Sequence, residues 1–334
     1  MGLYPIFAPV SCRPAIRAAA LTLALGLGLA VAVPARAEEP FRIGTSGTGL
    51  LVWIAQAMGA FDDAGVEVEI ERLTSGVEGL DRTENGTLDL AASSEFAFTT
   101  RVAGGADLCI YGTLSASRTV QLLAHAGRVG PAPADLAGKR IGVTQGSVAR
   151  FFLWQYLALE QVPEEDVVLV DLIPKDMVRA MRDGEIDAAI VWEPHATQIR
   201  ELLRDRLVDY RDQSMQHYYF VLQGPCDLER RRPEALRAVL AALIEADALA
   251  RRDPERAKRY IMPVLRLGPA EVDRVWPKHS LGVVLPQDLL LLMEMEARWL
   301  QSAGLAGDGA INALQRVRPQ PLADVAPAAV QMVW

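Results

Sequence analysis

The sequence is short of the residues on which most catalytic and metal chemistry depends. It has three cysteines and four histidines in 334 residues. His125, His195, His217 and His279 are scattered without metal-ligand spacing. There is no G-x-S-x-G elbow, no H-E-x-x-H helix and no S-x-x-K near a strand end, so the common nucleophile and metalloprotease signatures are missing. "GTSGTG" lacks dinucleotide glycine spacing, and "TQGS" lacks the lysine of a phosphate-binding loop. Positive charge is also scarce: 34 Lys and Arg stand against 42 Asp and Glu, a net charge of −8. That balance argues against nucleic acid or an anionic membrane as partner. No catalytic residue, metal or cofactor is expected.

What is present begins at the N-terminus. Arg13 and Arg17 precede the uncharged run "AAALTLALGLGLAVAV", and Ala35-Arg36-Ala37 follows as a small-x-small cleavage site. Basic, apolar and cleavable segments in that order read as a secretory signal peptide over residues 1–37. Cys12 precedes the apolar run, the wrong side for a lipoprotein cysteine. Removing Arg13, Arg17 and Arg36 takes the net charge from −8 to −11. No later apolar run is long and uncharged enough to span a bilayer. The mature chain is expected to be soluble and periplasmic, where disulfides are permitted, and two cysteines remain in it, Cys109 and Cys226.

The mature chain then alternates. "FRIGT", "VEVEIERL", "LDLAASS" and "LCIYGTL" read as strands, separated by the helical stretches "GLLVWIAQAMGAFDDAG", "GVEGLDRTENG" and "EFAFTTRVAGG". This β-α-β order predicts a mainly parallel sheet flanked by helices. "KRIGVTQGS", "VVLVDLI" and "IDAAIVW" repeat the pattern as a second, smaller unit. "HYYFVLQG" is an extended return segment, and the sequence after Cys226 reads as helices. Two chain crossings, near 119–127 and 216–224, predict a hinge. The expected division is one lobe from 38–127 and 213–334 and another from 128–212.

In open parallel sheets, ligands gather where strand ends meet helix N-termini. The groups at those ends are Ser46 and Thr48, Ser94 and Glu95, Ser115, then Gln145, Gly146 and Ser147, and finally Trp192 and Glu193 before Pro194. Hydroxyls and free N–H groups at helix starts suit an anion or a small polar group, though each of these residues also fits an ordinary cap. Trp192 would wall a cleft, and Glu193 would accept from ligand donors or cap the next helix.

The runs "DLAGKRIGVTQGSVARFFLWQYL" and "VVLVDLIPKDMVRAMRDGEIDAAIVWEPHA" resemble the periplasmic substrate-binding proteins of the nitrate/sulfonate/taurine ABC-transporter family, which also includes binders of thiamine-pyrimidine precursors. "FRIGTSGTGLLVWIAQAMGAFDDAGVEVEI" resembles that family's opening. The resemblance implies a two-lobed periplasmic binding protein fold of type II. It implies a monomer that captures a small solute and delivers it to an ABC permease in the inner membrane. By position it places Ser46, Thr48, Ser94, Ser115, Gln145 to Ser147, Trp192 and Glu193 along the cleft. Two departures stand out: His195 where the family often has an aromatic ring, and acidic Glu95 where small neutral residues are common. Two carboxylates near the cleft would suit a ligand with a cationic or N–H donor end, such as an aminosulfonate or aminopyrimidine. In this fold the return segment runs antiparallel beside the fourth strand, which makes Cys109 and Cys226 candidates for a disulfide. A module that presents its ligand to a membrane signalling protein is the alternative function.

Overall fold

The computed structural model describes residues 39–210, 217–306 and 312–333. The expected signal peptide lies outside them. Among the described residues, no helix is long and apolar enough to cross a membrane.

Two mixed sheets carry the fold. The first has six strands: β1 (Phe41–Thr45), β2 (Val68–Arg72), β3 (Leu90–Ser94), β4 (Leu108–Ser117), β10 (Tyr218–Pro225) and β11 (His279–Leu281). The second has five: β5 (Gln121–His125), β6 (Arg140–Val143), β7 (Val168–Asp171), β8 (Ala188–Val191) and β9 (Leu207–Asp209). Their orders are β11-β4-β10-β3-β1-β2 and β7-β6-β8-β5-β9. Helices α1 (Leu50–Met58), α2 (Ala60–Asp63), α3 (Gly76–Glu84) and α4 (Glu95–Ala103) belong to the first stretch of chain. Helices α5 (Val148–Leu159), α6 (Pro174–Asp183) and α7 (His195–Leu203) connect strands of the second sheet. After β10 come α8 (Leu228–Arg231), α9 (Pro233–Arg252), α10 (Pro254–Leu265), α11 (Pro269–Val275), α12 (Gln287–Ser302) and α13 (Gln320–Val325). They return to the first sheet: α9 packs on α1 and α2, and α12 on α4.

Local sequence explains these elements. The expected first helix is broken at Gly59, whose φ of 77° is left-handed and ends α1 before α2 begins. Helix α3 lies close on β3 because it presents glycine there. A Cβ added at Gly76 would come within 2.9 Å of the Ser93 Cα, and one at Gly79 within 2.8 Å of the Ala91 Cβ.

Strands β1 to β4 share one direction, as β-α-β units require, but β10 lies between β3 and β4 and is antiparallel to both. Tyr218 to Leu222 of that strand are all buried, which fits a central rather than an edge position. The stretch at 121–125, expected as part of the first crossing, is a strand of the second sheet, paired antiparallel with β8 and β9. Leu122 to Ala124 are fully buried, so pairing there satisfies backbone groups that a bare crossing would leave unpaired. The chain thus leaves the first sheet after Ser117 and enters the second at Gln121, and it returns between Asp209 and Tyr218. A disulfide joins Cys109 of β4 to Cys226, just beyond β10, with an S–S distance of 1.97 Å.

Candidate functional site

The strand ends of the first sheet bring hydroxyls together in short hydrogen-bonded sets. The Ser46 and Thr48 hydroxyls lie 2.9 Å apart, and the Ser46 carbonyl accepts from the Trp53 indole at 2.9 Å, which ties the turn after β1 to α1. The Ser94 hydroxyl caps α4 by accepting from the Ala97 amide at 3.2 Å. Ser115 is buried in β4, with its hydroxyl 2.9 Å from that of Ser117, which in turn lies 2.8 Å from His279 Nδ1. Burial, and then the Lys278 ammonium, hold the His279 imidazole down to about 4, so it is neutral at pH 7.

In the second sheet the loop after β6 is self-contained. The Ser147 hydroxyl donates to the Thr144 carbonyl at 2.7 Å, the Gln145 amide donates to Asp171 at 3.1 Å, and Gly146 is left-handed at φ 70°. Gln145 and Gly146 are exposed. Trp192 is half-buried and packs against the main core.

Glu193 is not a free acceptor. One carboxylate oxygen accepts from the Thr197 amide at 3.0 Å and the Thr197 hydroxyl at 2.7 Å, which caps α7. The other accepts from Gln121 at 3.2 Å and pairs with the Lys278 ammonium. Burial raises the carboxyl, but Lys278 and Thr197 outweigh it and hold Glu193 below the usual carboxylate range. Glu193 follows β8 and Lys278 precedes β11, so the pair joins the two sheets. Replacing Glu193 with Ala strands Lys278 and uncaps α7. Urea unfolding at neutral pH should show a loss of about 2–3 kcal/mol; a loss under about 0.5 kcal/mol would refute this role.

A second junction between the sheets was not singled out in the sequence. Trp299 of α12 meets Phe151 of α5 at 5.5 Å edge-on, and Trp154 of α5 and Phe96 of α4 at 5.9 and 5.7 Å. Phe96 and Phe151 stack at 5.6 Å. The Arg150 guanidinium lies 5.2 Å over the Trp299 ring and also pairs with Glu164. Next to these rings, Glu95 of α4 and Glu296 of α12 are both fully buried, and their carboxyl oxygens have no hydrogen-bond partner among the described residues. Glu95 stood out in the sequence. Glu296 was legible only through its spacing: it shares a buried helix face with Leu289, Met293 and Leu300. Burial pushes the Glu95 carboxyl up to about 8. Burial and the neighbouring Glu95 push Glu296 well above the usual range.

A cavity of about 240 Å³ opens beside the crossings, lined by residues that include Arg118, His217, Tyr219, Lys278 and Asp288. None of the residues picked out from the sequence as ligand-binding lines it.

Residues 48–257 match the family described as NMT1/THI5 like. A candidate binding protein of Brucella abortus is 23% identical over 225 residues, which cover 66% of this chain and 69% of that protein. The alkanesulfonate-binding protein SsuA of Xanthomonas axonopodis pv. citri, solved bound to MOPS, superposes with a TM-score of 0.72 at 20% identity, over 84% of this chain and 98% of that one. The desulfurization enzyme DSZB superposes at 0.66 and 17% identity, over 86% and 99%. At these identities the solved structures establish the fold. Since that fold carries both a binding protein and an enzyme, the side chains must decide between binding and catalysis.

Proposed function

The chain belongs to the NMT1/THI5-like family, and from that premise we propose that it is the periplasmic solute-binding component of an ABC importer. On this reading it captures a small polar solute, of the sulfonate, taurine, nitrate or aminopyrimidine kind, between its two sheets. It then hands the solute, as a monomer, to a permease in the inner membrane.

One observation carries the reading. The second sheet is inserted between β4 and β10, which are neighbours in the first sheet. The two crossings therefore leave the first sheet side by side, the arrangement a hinge needs. The Glu193–Lys278 pair and the Trp299 contacts hold the sheets together and would have to separate when they part. A solute that binds the closed form more tightly shifts the equilibrium toward it. The Ser94 and Ser147 ends of α4 and α5 offer hydroxyls and helix N-termini to the solute's polar end. The hydroxyl that meets a histidine, on Ser117, is fully buried within the sheet, which favours a binding role over nucleophilic catalysis.

The test is a thermal-shift screen of residues 38–334 with taurine, ethanesulfonate, nitrate and an aminopyrimidine, coupled to small-angle scattering. A ligand at about 100 times its Kd should stabilise by about 2.7 kcal/mol. It should also reduce the radius of gyration. Stabilisation with no change of radius would count against hinge closure, and silence across the panel against the solute classes named.

A further inference from the structure

We propose that the cavity beside the two crossings is a binding site for a small oxyanion. It goes beyond the solute-binding reading, which rests on the strand ends: none of the residues picked out there lines this cavity.

Strand alternation builds the site. Ala116 of β4 stands opposite Tyr219 of β10 on one side and Ser280 of β11 on the other. One residue further along the same antiparallel registers, Arg118 stands between His217 and Lys278, and its amide donates to the Lys278 carbonyl at 2.8 Å. Side chains two apart on a strand, and those directly opposite them, share a face, so these groups all point one way. The residues between them, Ser117, Tyr218 and His279, point the other way and are buried. At the middle of the first face Ala116 carries only a methyl group, which leaves room between Tyr219 and Ser280 for the cavity.

The charges on this face are not matched. Like charges directly opposite each other across a strand pair repel, and Arg118 faces Lys278 in that way. Lys278 is answered by Glu193. Asp288, the acid among the lining residues, is engaged elsewhere: it accepts from the Tyr219 hydroxyl at 2.7 Å and lies 3.6 Å from His217 Nε2. The Arg118 guanidinium has no ion pair and no side-chain hydrogen bond among the described residues. An anion held over Arg118 and Lys278 removes their repulsion and supplies the missing counter-charge.

The donors select the ligand. A guanidinium offers a planar fork of N–H groups that matches two oxygens of an oxyanion. The Lys278 ammonium has three N–H donors, of which Glu193 takes one. The Ser280 hydroxyl is exposed and adds another. A cation would be repelled by Arg118 and Lys278, and an apolar ligand would strip them of water without replacing its hydrogen bonds. About 240 Å³ holds a sulfate, a phosphate or a sulfonate group with water beside it. The oxyanion is a free inorganic ion or the sulfonate of an organic molecule. Arg118 opens the first crossing, His217 closes the second, and Lys278 reaches Glu193 beyond β8, so the bound ion would tie both crossings to the junction between the sheets.

The test titrates sodium sulfate, sodium phosphate and sodium ethanesulfonate calorimetrically into residues 38–334 at pH 7.5, with sodium chloride matching ionic strength. The mature chain carries a net charge of −11, so an anion gathers only where a site selects it. Arg118→Gln removes the fork without breaking a side-chain contact. Arg179→Gln, exposed on α6, removes the same charge far from the cavity. The wild type should bind at least one of the three anions at one site per chain, Arg118→Gln at least tenfold more weakly, and Arg179→Gln as the wild type does. Competition identifies the source. Ethanesulfonate that binds alone, or that sulfate displaces, assigns the site to an organic sulfonate; sulfate or phosphate binding that ethanesulfonate does not disturb assigns it to an inorganic ion. The site is overturned if none of the three binds, if Arg118→Gln binds as the wild type does, or if Arg179→Gln weakens binding equally. Thermal stabilisation by taurine or nitrate that persists in Arg118→Gln would leave solute capture standing whichever way the site is decided.

Discussion

Stability of the mature protein is expected to fall as pH rises from about 6.5 to 8, and Glu95→Gln and Glu296→Gln should each make the fall shallower. An unfolded glutamate loses its proton near its ordinary value of 4.5, whereas folded Glu95 keeps its proton up to about 8. Between those values the folded state binds more protons, so rising pH favours unfolding. Over the whole interval Glu95 alone corresponds to a loss on the order of 5 kcal/mol, of which about 2 kcal/mol falls between pH 6.5 and 8. Glu296, raised in the same direction, adds to it. The other titratable groups acting on the pair are Tyr218, pushed up to about 12, and Tyr219, raised further by burial and by Asp288, so neither titrates in this window. His279 opposes the trend at lower pH. Its folded value near 4 lies below the ordinary 6.5, so its contribution is lost as pH falls through that range. Between about pH 4.5 and 6.5 the two effects offset each other, so the fall steepens above about pH 6.5, where the His279 effect no longer varies with pH. Urea midpoints across pH 5 to 8.5, in wild type and both variants, measure it. A wild-type profile flat from pH 6.5 to 8, or variants that slope as the wild type does, would refute the assignment.

Reducing the Cys109–Cys226 disulfide should cost a comparable amount. The bond closes a loop spanning 117 residues. Loop-closure entropy for that length corresponds to about 5 kcal/mol of destabilised unfolded state, an upper figure because real unfolded chains are already compact. For a chain of this size the melting temperature should drop by roughly 10 °C or more. The paired Cys109→Ala/Cys226→Ala variant and the reduced wild type should agree, since both open the same loop. A drop of less than about 2 °C in each would mean that β4–β10 pairing alone already sets the stability of this region.

The parts of the fold read correctly from sequence were those fixed by local pattern. The strands and helices from Phe41 to Ser117 and from Arg140 to Leu203 follow from apolar periodicity and helix caps such as Ser94. What escaped was long-range. The resemblance placed "HYYFVLQG" antiparallel beside β4, as found, but nothing in the segment says that it also pairs with β3, which lies more than a hundred residues away in sequence. Of the two roles the sequence offered Glu193, ligand acceptor or helix cap, the cap on Thr197 is made, while its partner Lys278, 85 residues distant, could not be read from the sequence. Gly59 was passed over because glycine inside an apolar period is tolerated, and only its left-handed φ makes it a break. Glu95 was noticed for its charge at a strand end. Its partner Glu296 was hidden inside "LLLLMEMEARWL", where a single acid on an apolar face reads as a surface residue.

The position of β10 also constrains the order of assembly. The second sheet draws all its strands from residues 121–209, an unbroken stretch, and can pair as soon as that stretch is available. The first sheet cannot. Strand β3 can pair with β1 early, but β4, complete by Ser117, has no neighbour in the sheet until β10 arrives a hundred residues later. A chain threaded from its N-terminus therefore finishes the inserted sheet before its host, with the edges of β3 and β4 open in the interval.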